Sequence, residues 1–110
     1  MKQCDLWYAD LNPVKGSEQK GFRPVVIVSG NVVNEYLKIV IACPLTTQIK
    51  NYKGNIILKP DDVNGLSAKS EILTFHIRSI SKERLIKKIG RISEQQLEEL
   101  KVGLGDILTY

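Results

Sequence analysis

The sequence predicts a small, mostly β (α+β) barrel with a C-terminal helix packed against it and short helical turns connecting the strands. Three observations support this fold class. Short apolar, β-branched segments recur along the chain, prolines and glycines separate them, and only the last segment carries a helical pattern. A chain of 110 residues has room for one core, so we expect residues 1–110 to form a single domain.

The predicted strands are short and largely apolar. Residues 5–11 are rich in aromatic side chains and end at Asn12 and Pro13, where proline removes a backbone donor. Residues 24–29 are nearly all apolar, which is typical of a strand buried on both sides. Further strands are expected at 38–43 (closed by Pro44), 55–59, 70–75 and 85–92, loops at 14–22, 30–31 and 45–53, and a helical turn at 79–84.

A helix is predicted at the C-terminal end of the chain. Ser93 and Gln96 have the spacing of a capping box, in which each side chain satisfies a free backbone amide. Apolar residues then follow at helical spacing on one face: Leu97, Leu100, Leu104, Ile107 and Leu108. Gly103 and Gly105 weaken this prediction, each by about 1 kcal/mol relative to alanine.

Composition excludes several classes of protein. Two cysteines, Cys4 and Cys43, are too few for a disulfide framework, and with a single histidine they offer no metal-ligand spacing. No segment approaches the ~20 apolar residues that span a bilayer, and Asp5 and Asp10 interrupt any signal-peptide pattern. We therefore expect a cytoplasmic protein with reduced thiols. The formal net charge of +4 is compatible with a polyanionic partner without requiring one.

The first candidate site is the segment 15–24, a polar loop that leads into a buried strand. Arg23 precedes Pro24, so its backbone is extended at the rigid mouth of that strand. Glu18 supplies an acceptor, and Lys15 and Lys20 add positive charge. The same residues are also compatible with an ordinary solvated hairpin loop.

Two further segments carry polar groups at strand ends. Thr46, Thr47 and Gln48 follow a buried strand and could donate to phosphate oxygens or bases, although threonine in a turn often bonds its own backbone. His76 and Arg78 begin the basic half of the chain. There the alternatives are a nucleic-acid surface and a solvated charged face, and His76 is expected to point away from its neighbours Phe75 and Ile77 if the segment is extended.

These segments together resemble the MazF/PemK toxin family. The resemblance rests on the order Asp-Leu-Asn-Pro-Val-Lys-Gly-Ser-Glu-Gln-Lys-Gly-Phe-Arg-Pro-Val-Val-Ile-Val-Ser at residues 10–29, on Pro-Leu-Thr-Thr-Gln at 44–48, and on Ile-Arg-Ser-Ile through Lys-Glu-Arg-Leu at 77–85. Ile-Gly-Arg-Ile-Ser at 89–93 continues it. The resemblance covers nearly the whole chain, in the family's order and spacing.

The resemblance implies a homodimer of an SH3-like barrel that cuts single-stranded RNA at specific sequences. It implies chemistry without a metal or cofactor, with the 2′-hydroxyl as nucleophile and with 2′,3′-cyclic phosphate and 5′-hydroxyl ends as products. It places the family's catalytic arginine on Arg23 and its catalytic threonine on Thr46. Glu18 matches a glutamate that has a catalytic role in some members. An antitoxin with an acidic, disordered tail is the implied protein partner.

RNA contacts are expected from the side chains around the three motifs, because unstacked bases are read by stacking and by hydrogen bonds to their edges. The residues expected to contact RNA are Lys15, Ser17, Gln19, Lys20, Phe22, Thr47, Gln48, His76 and Arg78, with Trp7 as a further stacking face. The family commonly carries glutamine at the position of His76, so a cut-site preference cannot be transferred to this chain.

Two other functions compete with this interpretation. The related CcdB toxins use the same barrel to poison gyrase through their C-terminal residues, but residues 106–110 show no clear match to that pattern. A non-catalytic RNA-binding module is the second alternative, and the presence of Arg23 and Thr46 argues against it.

Overall fold

The computed structural model describes residues 1–16 and 21–110. The strands in these residues are β1 (Asp5–Asp10), β2 (Phe22–Ile27), β3 (Ile39–Thr46), β4 (Ile56–Leu58), β5 (Ser70–Ile72), β6 (Arg78–Ser81) and β7 (Leu85–Arg91). The α-helices are α1 (Asn31–Tyr36) and α2 (Glu94–Thr109), and 3-10 turns occupy Thr74–His76 and Lys82–Arg84. The mostly β fold with a C-terminal helix is confirmed.

The strands form an antiparallel half-barrel in the order β4-β5-β3-β2-β1-β7. β3 is the longest strand and joins its two parts. Its residues 39–42 pair with β6, whereas Leu45 and Thr46 pair with β5. This division lets the sheet curl around a core, as short antiparallel strands commonly do in small barrels.

β2 separates two apolar cores. Val26 faces the first core with Leu6, where Leu97 and Leu100 of α2 pack against the sheet. Val25 and Ile27 face the second core, on the opposite side of the strand. The second half of β2 is thus buried on both faces, as its apolar run predicted. Each fully buried aliphatic side chain contributes about 1.5–3 kcal/mol, so the cores fix β2 firmly.

α2 begins as predicted. The Ser93 hydroxyl accepts a hydrogen bond from Gln96 N at 3.0 Å, and Gln96 Oε1 accepts one from Ser93 N at 2.8 Å, which completes the capping box. Leu97 and Leu100 are buried. The end of the predicted apolar face does not pack against the core, since Leu108 is 87% exposed.

Two predicted boundaries around β3 and β6 are wrong. Pro44 does not close a strand, because β3 continues to Thr46 and the Pro44 carbonyl accepts a hydrogen bond from Leu73 N at 2.9 Å. The loop predicted from residue 45 therefore begins after Thr46. The helical turn predicted at 79–84 is confined to Lys82–Arg84, because residues 78–81 pair with β3 as β6.

Two other local predictions also need correction. The strand expected at 70–75 ends at Ile72, and Phe75 and His76 belong to a 3-10 turn closed by His76 N donating to Leu73 O. The sequence predicted only a break at residues 30–31 and no element before the next strand, whereas Asn31–Tyr36 form α1. Buried Asn34 anchors α1, because its Nδ2 donates to Ser29 O at 2.8 Å. A periodic pattern of apolar residues does not predict such a contact.

Candidate active site

Arg23 and Thr46 meet where β2 and β3 lie side by side. Val25 pairs with Pro44 in the antiparallel register, and extending that register by two residues places Arg23 opposite Thr46. Both line a depression of about 360 Å³ with Phe22, Pro24, Leu45, Thr47 and Gln48. The first and second sequence motifs therefore form one surface.

Arg23 also borders a second depression. This one has a volume of about 240 Å³ and is lined by Leu11, Gly21, Arg23, Pro44, His76 and Arg78. The third motif thus reaches the same arginine from the opposite side, and Arg78 adds a second positive charge. Arg23 is half-buried and forms the boundary that the two depressions share, which we call the Arg23 ridge.

A third depression continues the surface. Its volume is about 560 Å³, and it shares Pro24 and Thr47 with the Arg23–Thr46 depression. Lys87 and Lys88 of β7 contribute positive charge to its wall, and Tyr8 contributes an aromatic face. We call these three connected depressions the groove. A groove with basic walls and aromatic faces suits a single-stranded nucleic acid.

The predicted RNA-contacting residues fall into three groups. Phe22, Thr47, Gln48, His76 and Arg78 line the groove together with the catalytic candidates Arg23 and Thr46. Lys15 is exposed in the loop after β1 and Trp7 packs against the second core, and neither lines the groove. Ser17, Glu18, Gln19 and Lys20 lie outside the described residues.

Asp10 anchors the loop that follows β1. Its buried carboxylate accepts hydrogen bonds from Asn12 N at 3.0 Å, from Asn12 Nδ2 at 2.9 Å and from Gly16 N. Arg84 Nη1 donates to the carbonyls of Asp10 and Asn12, at 3.1 and 2.5 Å. Burial alone would raise the pKa of Asp10, but the hydrogen bonds and the Arg84 charge outweigh it and hold the pKa below its usual value.

The chain re-enters β2 at a second tight contact. Leu11 N donates to Gly21 O at 3.0 Å, and a Cβ at Gly21 would lie 1.8 Å from Asn12 Oδ1. A side chain at position 21 would therefore displace Asn12. Gly16 and Gly21 are thus both hydrogen-bonded to the end of β1, next to the start of β2 where Arg23 lies.

Acid is expected to weaken the Asp10 anchor. Because its pKa is lower in the folded chain than the usual 3.8, the ionised carboxylate stabilises the fold above about pH 4, and this contribution is lost as the pH falls through the folded pKa. Wild type should therefore exceed Asp10→Asn in stability at neutral pH, and the gap should narrow in acid. Denaturant unfolding of both proteins at about pH 7, 5 and 3 checks this. A gap independent of pH would contradict it.

Two residues that shape the site were not predicted from the sequence. Asp10 and Glu71 are buried carboxylates whose partners are mostly backbone amides. Asp10 is the last residue of β1, which also contains Asp5, and Glu71 is the middle residue of the three-residue strand β5, so neither stood out as a single charge in an apolar run. Their partners could not be deduced, because loop amides carry no sequence signature.

The described residues were also searched for a cysteine nucleophile, a metal site and a membrane-spanning helix. Burial raises the pKa of the Cys43 thiol to about 12, so this cysteine is not a nucleophile at neutral pH. Within 1–16 and 21–110, no three His, Cys, Asp or Glu side chains are grouped so as to hold a metal ion. The same residues include no helix with the length and apolar character needed to cross a membrane.

Comparison with known families decides the classification. The model of the family described as "PemK-like, MazF-like toxin of type II toxin-antitoxin system" matches residues 2–108. This chain belongs to that family. The resemblance drawn from the three motifs is thus confirmed over almost the whole chain.

Two curated relatives agree with this classification, and two solved structures share the fold. The endoribonuclease EndoA of Bacillus subtilis is 33% identical over 105 residues (94% of this chain and 90% of that protein), and the endoribonuclease MazF of Staphylococcus saprophyticus is 35% identical over 102 residues (91% and 84%). Deinococcus radiodurans MazF matches with a TM-score of 0.81 at 27% identity (100% and 97% of the two chains). A MazE-MazF structure from that organism matches at 0.77 and 24% identity (98% and 94%).

Proposed function

We propose that this MazF-like toxin is an endoribonuclease that cuts single-stranded RNA in the cytoplasm and thereby inhibits translation and growth. The observation that carries the proposal is the convergence of Arg23 and Thr46 on one depression between β2 and β3. Two relatives bear the name endoribonuclease. The basic groove around Arg23 supplies a surface for the substrate.

The proposed reaction is an internal transesterification. The 2′-oxygen bonds to phosphorus while the bond from phosphorus to the 5′-oxygen breaks, which leaves a 2′,3′-cyclic phosphate and a 5′-hydroxyl. The 2′-hydroxyl gives its proton to a base, and the 5′-oxygen takes up a proton as it leaves. The protein itself forms no covalent bond, so its contribution is positioning and electrostatic stabilisation.

Arg23 is the main electrostatic group in this scheme. The transition state places extra negative charge on the non-bridging phosphate oxygens, and a guanidinium offers fixed donors to them. Arginine keeps its proton throughout the physiological pH range, so we assign Arg23 to electrostatic stabilisation. Protonation of the leaving group is the alternative role for this side chain. Thr46 would hold a phosphate oxygen from the neighbouring strand.

Glu18 is the proposed base, on the grounds of its residue type and its match to the family's glutamate. A carboxylate is ionised at neutral pH and can accept a proton, so it is a common general base in enzymes. The alternative role for Glu18 is to orient Arg23. A pH profile of cleavage by Glu18→Gln, with His76→Gln as the matched variant, separates these roles.

Base recognition is assigned to the side chains at the two ends of the Arg23 ridge. Phe22 offers a ring that already packs edge-on against Tyr8, with centroids 6.1 Å apart. Gln48 and His76 offer hydrogen-bonding groups on either side of Arg23. The His76 ring packs at a tilt against Phe75, with the ring centroids 4.7 Å apart, so the two rings form an aromatic pair at the groove.

Two macromolecular partners complete the proposal. The first partner is a second copy of the chain. Several apolar side chains near the groove and at the end of α2 are exposed and would be buried by dimerisation: Tyr52, Phe75, Ile77, Ile107 and Leu108. A cognate antitoxin with an acidic tail would then cover the basic groove, as the MazE-MazF neighbours suggest. Sedimentation of the free toxin and inhibition of cleavage by the antitoxin test the two contacts.

One experiment tests the function. Purified protein is incubated with a long single-stranded RNA in excess chelator, and the cut positions and end groups are mapped. We expect discrete cuts with 5′-hydroxyl ends. Cuts that require magnesium would overturn the mechanism, and uncut RNA together with arrested gyrase would favour the CcdB-like alternative.

A further inference from the structure

Glu71 of β5 is a buried carboxylate with an unusual set of partners. Its side chain has no exposed surface. Oε1 accepts hydrogen bonds from Lys50 N at 2.7 Å and Asn51 N at 2.9 Å. Oε2 accepts from Tyr52 N and from Asn55 Nδ2, both at 2.9 Å. Four donors from one loop therefore surround a single carboxylate.

The charge of Glu71 is satisfied by this loop and not by a cation. Within the described part of the chain, no lysine or arginine forms an ion pair with it. Burial would raise the pKa of Glu71, but the hydrogen bonds from Asn55 and from the three backbone amides outweigh burial and lower it. Glu71 is thus ionised at neutral pH, and the loop must stay wrapped around it to avoid an unsatisfied buried charge.

The wrapped loop is the one that leaves the candidate active site. Thr46 is the direct cross-strand partner of Glu71 between β3 and β5. After Thr46 the chain turns, and Gln48 N donates to Thr46 Oγ1 at 3.1 Å. Thr47 and Gln48 line the groove, and the amides of residues 50–52 then close on Glu71.

The same loop is also hydrogen-bonded to the 3-10 turn that carries His76, which lines the second depression beside Arg23. Asn55, which donates to Glu71, also accepts hydrogen bonds through Oδ1 from the hydroxyl and the amide of Thr74. Thr74 opens the 3-10 turn that carries His76. The Glu71 network therefore extends from the Gln48 wall of the groove to its His76 wall.

We propose that Glu71 is the positioning residue of loop 47–55, and that its carboxylate fixes Thr47 and Gln48 for substrate selection in the groove. Glu71 does not touch the RNA in this proposal. It sets where the loop amides lie, and so limits Thr47 and Gln48 to the few positions that a short, doubly tethered segment allows. The inference rests on the proposed nuclease function, because RNA is the substrate that these side chains would select.

Glu71→Gln tests the proposal with an almost isosteric change. The amide keeps one acceptor oxygen but turns an NH2 group toward loop donors, so about half of the four hydrogen bonds are lost. We expect the amides of Lys50, Asn51 and Tyr52 to exchange faster with solvent, while the amides between β3 and β5 stay protected. Glu99→Gln, at an exposed site on α2, makes the same charge change away from the loop and is the matched control.

Cleavage by the same proteins separates positioning from simple stability. Per folded molecule, Glu71→Gln should lose roughly 10- to 100-fold in kcat/KM, the range expected when a displaced group misaligns the substrate. Its cuts should also spread over more sequences. Asn55→Ala removes one of the four donors to Glu71 and also the acceptor for Thr74, so it should change both readouts in the same direction. It keeps the test decisive if Glu71→Gln folds poorly.

The outcomes are distinguishable. Faster loop exchange with unchanged cut positions and unchanged kcat/KM overturns the positioning role and leaves Glu71 a structural residue. Unchanged loop exchange in a folded Glu71→Gln protein overturns the network argument. If wild type and Glu99→Gln also leave the RNA intact, the proposed nuclease function has failed, whatever Glu71 does to the loop.

Discussion

Arg23→Ala should lower kcat for RNA cleavage by roughly 100- to 1000-fold, the loss expected when a donor to the transition-state charge is removed. The side chain stands on the ridge between two depressions and borders both. It is half-buried, so water replaces its donors only partly. The backbone at this position is held by β1 on one side, through the Ala9–Arg23 pair. The fold should therefore survive the substitution, and circular dichroism with single-turnover cleavage measures both properties.

Two further variants show whether the loss is chemical. Arg91→Ala removes the same side chain from the exposed end of β7, outside the groove, and should cut RNA like wild type. Arg23→Lys keeps the charge but loses the planar set of donors, so it should recover only part of the rate. Equal cleavage by Arg23→Ala and wild type would remove Arg23 from the mechanism.

The elements that the sequence predicted well are those with local causes. The capping box at Ser93 and Gln96 and the apolar run of β2 each depend on residues close together in the chain. The end of β3 was mispredicted because it depends on a distant group, since Leu73 N bonds the Pro44 carbonyl. α1 was not predicted because buried Asn34 holds it to Ser29 through a side-chain hydrogen bond, which leaves no apolar periodicity in the sequence.

Some residues of the candidate site were likewise predictable from the sequence, and others were not. Arg23 and Thr46 could be named from motif order, and the β2–β3 register then explains why they meet. Asp10 and Glu71 could not be named, because a carboxylate that binds backbone amides leaves no pattern in the residues it binds. Such residues become visible only when the loop and its anchor are seen together.

Gly103→Ala and Gly105→Ala should shift stability in opposite directions, although both replace a glycine in α2. Helix propensity favours alanine at each position by up to about 1 kcal/mol. At Gly105 a Cβ would meet nothing within 4 Å, so the gain should appear in full. At Gly103 a Cβ would lie 2.5 Å from Gly54 O, a backbone atom of the loop that Glu71 organises.

The close contact at Gly103 should outweigh the propensity gain. Because the Gly54 backbone cannot rotate away as a side chain would, the loop or the helix must move, which typically costs about 1–3 kcal/mol. Denaturant unfolding should place Gly103→Ala below wild type and Gly105→Ala above it. The Gly103 variant should also cut RNA less selectively, since its added methyl group presses on the loop that carries Gln48. If both variants were equally stabilised, α2 would not pack against Gly54 as closely as the structure requires.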